Sequence, residues 1–457
     1  MPYLVGAVAA LVLLTAACGS KTGLLVDEST RDGAAGAAAG LGDAGRSMDG
    51  APRGGDDAGA LDGAAEAVDA RADDGGTAVG GDGGDADAIG PVAGVAAGAQ
   101  HTCAWRATGE VECWGSNEFG QAGSPASALA VRTPTFVPGA VAVQMALGAR
   151  HTCALDADGG VTCWGLNTWG MLGTDGPDHT DRPQRVPGLP PIARLAAGWS
   201  HTCAVAVGGE VFCWGKNDGG QIGSGTSADA HRPVLVGPIG PAVDVAAGRG
   251  HTCAVTADGL VYCWGANFAD QRGTDGGNVF LPVLVPDIRA MVAVRAGEAS
   301  TCALGSDGRL RCWGELAHTA SWCEYPCPPG ACEDRERHPV VAFPERVDDL
   351  CLGKRHACLV DAPLGLHCWG DNDRRQLGLD PTVGGCPGEV CTEADPCVVA
   401  APAAVDGVHG VLSITAGREH TCAVDGRRAV YCWGDNRRLQ AGSDGAFVPR
   451  PTRVPGI

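Results

Sequence analysis

Aromatic and basic residues are both scarce in this chain of 457 residues. Phe, Trp and Tyr make up 5% of it, and 33 Lys and Arg stand against 53 Asp and Glu, for a formal net charge of −20. Binding of nucleic acid or of anionic lipid headgroups needs a basic surface, so this composition disfavours both kinds of partner. Gly (72) is abundant and Trp (11) outnumbers Phe (7), which is typical of a turn-rich fold with one Trp in each repeated unit.

The N-terminal apolar run, residues 5–14, is too short to cross a bilayer as a helix and is typical of the core of a signal peptide. Small residues then lead to Cys18, as in a bacterial lipobox, although Thr15 stands at the usual Leu position and no Lys or Arg precedes the run. We expect residues 1–17 to be a signal peptide and Cys18 to carry a lipid that anchors the mature chain to a membrane. Ordinary cleavage after Ala17, followed by secretion, is the alternative.

The stretch that follows, residues 18–90, is rich in Gly, Ala and Asp and has almost nothing to bury. We expect it to be the anchor cysteine followed by a disordered, extended linker. The 22 cysteines of the chain are more than a reducing cytosol usually tolerates, which also favours export. The predicted location is the bacterial cell envelope, as an outer-membrane or cell-surface lipoprotein, or the medium if the chain is only cleaved.

From residue 91 to residue 457 the chain repeats itself seven times. The stretch "HTCALDADGGVTCWG" (151–165) has close copies at 101–115, 201–215 and 251–265 and looser ones at 300–314, 356–370 and 420–434. Each unit reads as four short strands between turns, in the order "RPVLV" (232–236), "AVDVAAG" (242–248), "HTCAV" (251–255) and "LVYCWG" (260–265). Four strands in each of seven units predict an all-β fold, a seven-bladed β-propeller.

The two ends of the repeat region suggest how the ring closes. The first unit lacks an opening strand, whereas the chain ends in "RPTRVPGI" (450–457), which is an opening strand with no unit after it. We therefore predict that the C-terminal strand pairs with the first blade and closes the ring without a free edge.

Each unit begins with Gly-x-x-His-Thr or a close variant and continues with Asp-Gly-x-Val/Leu and Trp-Gly-x-Asn-x-x-Gly-Gln-Leu-Gly. This pattern resembles the repeat of the regulator of chromosome condensation (RCC1) family over residues 91–457. The resemblance implies a seven-bladed propeller, a fold that serves as a nucleotide-exchange factor for a nuclear GTPase, a plant UV-B photoreceptor and a secreted bacterial β-lactamase inhibitor. Light sensing is disfavoured, because in the photoreceptor a Trp follows several of the opening glycines and here only Trp199 does so.

Each unit also carries two cysteines ten positions apart. In the hairpin of unit two, Cys153 and Cys163 are symmetric about the turn at Asp158, so we expect their Cα atoms to lie about 4.5–5.5 Å apart, within disulfide range. We predict a cross-strand disulfide in every unit. The predicted pairs are Cys103–Cys113, Cys153–Cys163, Cys203–Cys213, Cys253–Cys263, Cys302–Cys312, Cys358–Cys368 and Cys422–Cys432.

The alternative is a metal site formed in each unit by the His and the two cysteines. Unit five has Ser300 in place of the His and yet keeps both cysteines, which disfavours a metal. We therefore predict neither a metal nor another cofactor. The His would form a structural hydrogen bond within its own blade, and the Trp of each unit would pack between blades.

Seven further cysteines fall in the last three units. Cys351 stands alone in a predicted strand, and because seven is odd, one thiol is left over, either free or paired between chains. The other six lie in the two irregular stretches that join units five to six and six to seven: Cys323, Cys327, Cys332, Cys386, Cys391 and Cys397. Loops that break a repeat are the usual place for recognition.

No nucleophile–base arrangement and no phosphate loop stands out, so we expect a binding protein and not an enzyme. The last two units carry arginines that could receive an acidic partner or simply balance charge at a solvated surface. The candidate binding surface consists of Arg374, Arg375, Arg427, Arg428, Arg437 and Arg438.

We predict an exported, membrane-tethered and monomeric propeller that recognises a protein or glycan partner through the irregular loops of blades five to seven. The alternative implied by the resemblance is guanine-nucleotide exchange, and a secreted enzyme or enzyme inhibitor is a distant third.

Overall fold

The computed structural model of the protein describes residues 90–315, 340–343, 346–361, 365–379 and 398–457. The predicted signal peptide, Cys18 and the linker lie outside the described residues, and so do the six cysteines of the two irregular stretches. Among the residues that are described, no helix has the length and the hydropathy needed to cross a membrane.

The hairpin of each unit is specified locally by its turn. In the second unit the Asp156 carboxylate accepts hydrogen bonds from the backbone N–H groups of Asp158 (3.0 Å) and Gly160 (2.7 Å). Gly159 has a φ of 82°, a left-handed conformation that suits glycine. Such turns join two short strands of alternating side chains, and neighbouring blades cover both faces of these strands.

The described residues form 28 strands in seven antiparallel, four-stranded sheets, the blades, and each blade consists of four consecutive strands. The inner strands, which line the central channel, are β1 (Val92–Ala97), β5 (Gln144–Leu147), β9 (Ile192–Ala197), β13 (Ala242–Ala247), β17 (Met291–Ala296), β21 (Val347–Leu352) and β25 (Ser413–Ala416). The second strands are β2 (His101–Arg106), β6 (His151–Leu155), β10 (His201–Ala206), β14 (His251–Thr256), β18 (Ser300–Gly305), β22 (His356–Asp361) and β26 (His420–Val424). The third strands are β3 (Glu110–Ser116), β7 (Val161–Leu166), β11 (Val211–Gly215), β15 (Val261–Gly265), β19 (Leu310–Gly314), β23 (Gly365–Asp371) and β27 (Val430–Asp435). The outer strands are β4 (Ala130–Val141), β8 (His179–Arg185), β12 (Ala230–Leu235), β16 (Val279–Leu284), β20 (Val340–Phe343), β24 (Val398–Ala404) and β28 (Phe447–Arg453).

The predicted seven-bladed propeller is confirmed, but two details of its arrangement were wrong. The strand that opens each predicted unit is in fact the outer strand of the preceding blade, so that "RPVLV" lies largely in β12 and pairs with β11 of blade three. The C-terminal strand β28 accordingly pairs with β27 of its own blade, and blade one is completed by β4. The reason is that the loop after each third strand turns the chain back alongside it, so that the outer edge is filled by the next residues in sequence.

The ring is closed between blades seven and one by side chains and carbonyl groups, not by a shared strand. The Thr102 hydroxyl lies 2.9 Å from His420 Nε2 and donates a hydrogen bond to the carbonyl of Gln440 at 2.8 Å. Trp114 Nε1 donates to the same carbonyl at 3.0 Å. Side chains of both blades also share one buried apolar cluster.

The hydrophobic core lies between the blades. At the junction of blades one and two, Cys103 and Cys113 belong to one buried cluster with Met145, Ala154 and Trp164. Because successive side chains of a strand point to opposite faces, each blade presents its cysteines to the following blade and its Trp to the preceding one. The Trp residues that pack in this way are at most 3% exposed: Trp114, Trp164, Trp214, Trp264, Trp313, Trp369 and Trp433.

Candidate functional site

The two cysteines of each hairpin are bonded to each other. The backbone N–H of Leu166 donates to Arg150 O at 2.8 Å, which puts Cys153 and Cys163 at a non-hydrogen-bonded pair of the ladder, where Cα atoms approach most closely. The Cα atoms of the bonded pairs are 4.0–4.1 Å apart, slightly closer than the sequence predicts. Within the described residues these bonds join all seven pairs that the ten-residue spacing predicts.

Cys351 lies in the inner strand β21, as expected for a strand residue. It is fully buried, and its direct neighbour across the ladder to β22 is Cys358. The six loop cysteines, for which the sequence assigns no pairing, lie outside the part of the chain that the structure describes.

The repeated His of each unit forms its hydrogen bond with the next blade, and not within its own blade as predicted. His101 Nε2 lies 2.8 Å from the hydroxyl of Thr152, and His–Thr pairs of the same kind, 2.9–3.0 Å apart, join five other blade junctions. The junction between blades five and six lacks both partners, because Ser300 replaces the His and Ala357 replaces the Thr. Because the His and its Thr partner are absent from the same junction, we infer that the His stabilises the contact between blades.

The protonation state of these histidines follows from their partners. Thr152 donates its own proton to the carbonyl of Gln121 at 2.8 Å, so its oxygen accepts a hydrogen bond from the Nε2–H of His101. Burial lowers the pKa of the six histidines to between about 3 and about 4, which keeps them neutral near pH 7: His101, His151, His201, His251, His356 and His420. Elsewhere in the described part of the chain, too, no group of three or more His, Cys, Asp or Glu residues is placed to hold a metal ion.

The Asn and Gln of the loop motif also have structural roles. Asn117 Oδ1 accepts a hydrogen bond from the N–H of Ala122 at 3.0 Å, and its Nδ2 donates to the carbonyl of Ala128 at 2.9 Å. The resulting loop presents the carbonyl of Gln121 to the next blade, where the indole N–H of Trp164 donates to it at 3.0 Å. The repeated polar side chains thus form hydrogen bonds that hold the fold together. A functional site must therefore be built from residues that vary between blades.

The opening glycines are required by the close approach of adjacent blades. A Cβ atom on Gly248 would lie 2.6 Å from the carbonyl oxygen of Gly297 in the next blade and would overlap the ring of His251. Gly250, in the same turn, has room for a Cβ, with Ala266 at 3.4 Å as its nearest neighbour.

We expect Gly248→Ala to lower the free energy of unfolding by about 1–3 kcal/mol, the usual cost of forcing an atom into a packed site. Gly250→Ala is the matched control and should be neutral or slightly stabilising. Urea denaturation of both variants measures the difference. Equal midpoints for the two variants would contradict the packing argument.

The propeller has two different faces. One, which we call the glycine face, carries the turns between inner and second strands and the connections from third to outer strands. The other, the hairpin face, carries the turns between second and third strands. Both irregular stretches begin on connections from a third to an outer strand, which leave the third strand on the glycine face. One begins after Glu315, directly after β19, and the other after Leu379, following the Asn372 loop of blade six.

The predicted arginine surface is divided between these faces. Arg427 and Arg428 lie in the turn between β26 and β27, on the hairpin face, and are exposed. The other four lie on the glycine face, in the loops that follow β23 and β27: Arg374, Arg375, Arg437 and Arg438. A single surface of six arginines was therefore a wrong prediction, because sequence proximity does not distinguish the two ends of a strand.

Two of the four glycine-face arginines contact the same carboxylate, that of Glu419, and the same aromatic ring, that of Phe447. Arg374 and Arg437 lie 3.9 and 3.3 Å from Glu419, and their guanidinium groups stand 5.8 and 6.0 Å from the ring centre of Phe447. A hydrogen bond to Asp435 raises the pKa of Arg437 further. These arginines are thus already balanced by carboxylates of the same chain.

The centre of the glycine face is a cavity of about 120 Å³ at the mouth of the channel. Around it stands one residue from each blade, directly after the opening glycine; we call these seven residues the collar. The collar consists of Ala99, Ala149, Trp199, Arg249, Glu298, Lys354 and Arg418. Five of the seven positions differ from alanine, so the collar is not part of the repeated framework.

Four collar side chains form one cluster. The guanidinium groups of Arg249 and Arg418 lie 5.5 and 5.1 Å from the ring centre of Trp199. Both also pair with the nearly buried carboxylate of Glu298, at 3.1 and 3.7 Å. The sequence prediction missed this cluster, although aligning the residue after each opening glycine would have brought its members together.

Comparison with known proteins supports the fold. Two family models described as the regulator of chromosome condensation (RCC1) repeat match the chain. One matches residues 108–155, 158–205, 208–255 and 365–424, and the other matches 92–121, 142–170, 192–221, 242–271 and 411–440. Together they cover more than half of the chain.

Individual relatives are similar at lower identity. The protein pim1 of Schizosaccharomyces pombe is 31% identical over 124 residues, which are 23% of this chain and 21% of that protein, so the match spans about a fifth of that relative. Prp20p of Saccharomyces cerevisiae, whose structure was described with its binding to Gsp1p and histones, has a TM-score of 0.66 at 21% identity over 80% of this chain and 86% of that one. Human WBSCR16 has a TM-score of 0.63 at 20% identity, over 74% of this chain and 87% of its own.

Proposed function

Because the chain belongs to the family of regulator of chromosome condensation (RCC1) repeat proteins, we propose that it is a binding propeller that holds a protein partner on its glycine face and catalyses no reaction itself. One observation carries this proposal. The features that break the repeat, namely the collar, four of the six arginines and the starting points of both irregular stretches, lie on the glycine face.

The chemistry of the glycine face fits a protein partner better than a nucleic acid. Its loops combine aromatic and cationic side chains in stacked pairs, such as Arg150 over Phe119 at 5.0 Å and Lys216 over Trp169 at 5.3 Å. Aromatic and Arg side chains are the residues most enriched at the energetic centres of protein interfaces. The net charge of −20 opposes binding of nucleic acid.

We propose further that the propeller acts outside the cytoplasm, as a monomer tethered to a bacterial membrane through a lipid on Cys18. Seven disulfides within the described residues support an oxidising compartment, since such bonds are rare where thiols are kept reduced. Mass spectrometry of the chain isolated from membranes would test the anchor directly.

The partner-binding face can be tested with two charge-matched variants of the full chain. Each variant reverses one adjacent arginine pair: Arg374→Glu with Arg375→Glu on the glycine face, and Arg427→Glu with Arg428→Glu on the hairpin face. Both pairs include one residue with positive φ, so the two variants perturb the backbone alike. In quantitative cross-linking from cell-envelope extracts, we expect the glycine-face variant to lose about tenfold or more of the recovered partner, as for a charge-reversed interface, and the hairpin-face variant to lose none. Equal recovery by both variants would refute the assignment.

The second candidate is guanine-nucleotide exchange, the activity that the resemblance of the repeat to the regulator of chromosome condensation (RCC1) family implies. Release of a fluorescent GDP from a small GTPase, with and without the propeller, distinguishes the two. We expect no acceleration of release, whereas an increase at catalytic concentrations of the propeller would favour exchange over simple binding.

A further inference from the structure

The collar differs in charge from the rest of the molecule. Three collar residues are cations, Arg249, Lys354 and Arg418, and one is a carboxylate, Glu298, while the chain as a whole carries a net charge of −20. Lys354 pairs at 3.6 Å with Glu419, which does not line the cavity. A fourth cation, Arg295, lines the cavity from β17 and pairs with Asp244 on the neighbouring inner strand at 3.0 Å. A cavity lined by cations inside an acidic protein concentrates anions at its mouth.

The position of Glu298 shows which kind of anion the collar accommodates. Its carboxylate is shared between two guanidinium groups, with Oε1 3.1 Å from Arg249 and Oε2 3.7 Å from Arg418. The side chain of Glu298 is only 10% exposed, whereas those of Arg249 and Arg418 are 52% and 34% exposed. The internal carboxylate thus lies at the base of the cluster, and the two guanidinium groups remain accessible from the open side.

The collar is also held in place before any ligand arrives. The ring of Trp199 lies within cation–π distance of both guanidinium groups, and these contacts reduce the side-chain entropy lost on binding. The Nε of Arg418 is buried 3.7 Å from Glu298 Oε2, and neither atom forms a hydrogen bond among the described residues. A guanidinium group offers five donors in a fixed plane and matches a carboxylate with two of them.

We propose that the collar is a carboxylate-binding site, in which an external carboxylate is held by Arg249, Lys354 and Arg418 over the face of Trp199, in competition with Glu298. The inference goes beyond the proposed partner binding, because the same chemistry would hold a free small carboxylate or an acidic side chain of a polypeptide.

Calorimetric titration of the full chain with two probes tests the site. The probes are succinate and the peptide acetyl-Gly-Glu-Asp-Glu-Gly-amide, both at low salt. Glu298→Gln removes the competing internal carboxylate and no cation, so we expect it to bind at least one probe about tenfold more tightly than the natural chain, since a hydrogen bond to a charged group is worth that much. Glu315→Gln is the matched control, because Glu315 pairs with Arg355 at 2.9 Å and does not line the cavity.

Removal of a cation should have the opposite effect. Arg418→Gln, and the double variant Arg418→Gln with Glu298→Gln, should both bind about tenfold or more weakly than Glu298→Gln alone. If Glu298→Gln binds only succinate more tightly, the ligand is a small molecule. If it binds the peptide more tightly, the ligand is a polypeptide. Either result supports the site. If Glu298→Gln binds neither probe more tightly than Glu315→Gln does, the proposal is wrong, whether or not the Arg418 variants fold. The arginine-reversal experiment above tests partner binding separately, so the two proposals can fail independently.

Discussion

Reduction of the seven hairpin disulfides is expected to unfold the propeller in buffer in which the oxidised protein stays folded. Each bond closes a ring of eleven residues, and the chain-entropy estimate for such a ring is about 2.5–3 kcal/mol. Seven such contributions reach about 20 kcal/mol, more than the 5–15 kcal/mol by which folded domains usually exceed their unfolded states. The sulfur atoms also fill the junctions against the Trp residues, so their separation disturbs packing as well.

The measurement compares near-ultraviolet circular dichroism and urea midpoints of oxidised and reduced protein. Because the cysteines are at most 3% exposed, the reductant is applied in urea, which is then removed. A graded control removes one bond at a time: Cys153→Ala with Cys163→Ala should cost about 2–3 kcal/mol of unfolding free energy. Retention of the native spectrum and midpoint after full reduction would show that the disulfides are not needed.

The outcome also bears on function. Nucleotide exchange on a small GTPase takes place where thiols are kept reduced, so it requires a propeller that folds without these bonds. A propeller that unfolds on reduction is confined to an oxidising compartment, where a binding role is the simpler one. The redox experiment and the exchange assay therefore test the choice between the two candidate functions from independent directions.

The repeat explains why the fold could be predicted so fully from the sequence. Seven copies of one hairpin identify the strands and the disulfide spacing, and a residue that recurs in every copy, such as Trp164, must serve contacts that recur at every junction. The boundary between one blade and the next could not be determined in this way. The sequence repeats with the same period whether the connecting strand is the last of one blade or the first of the following blade. Only the pairing of β12 with β11, and not with β13, fixes it.

The candidate site was less accessible to prediction for the opposite reason. Trp199, Arg249, Glu298 and Arg418 each occur once and lie far apart in the sequence, and only the closed ring brings them to one point. The predicted arginine surface failed because Arg427 and Arg437 are near each other in sequence but lie at opposite ends of β27. Repeated residues thus predict the framework, whereas unrepeated ones need the ring geometry before their neighbours are known.

The second large effect is expected from pH, through the six buried histidines. In the folded state burial holds their pKa at about 3 to about 4, whereas in the unfolded chain the pKa returns to the ordinary histidine value of 6.5. Below pH 6.5 the unfolded chain therefore binds more protons, so the stability is fully present above pH 6.5 and is lost as the pH falls towards 4. Between these pKa values, each histidine lowers the free energy of unfolding by about 1.4 kcal/mol for each pH unit of acidification, and the six together lower it by about 8 kcal/mol per pH unit.

Urea denaturation between pH 7.5 and pH 5 should show this steep loss, and the protein itself supplies the control. The junction of blades five and six has Ser300 and Ala357 in place of His and Thr, so His151→Ser with Thr202→Ala copies a junction that the fold already accepts. We expect this double variant to reduce the slope of unfolding free energy against pH by about one proton, or 1.4 kcal/mol per pH unit. An unchanged slope would mean that the acid sensitivity comes from other groups, because removal of a histidine that stays neutral in the folded state must remove its share of the proton uptake on unfolding.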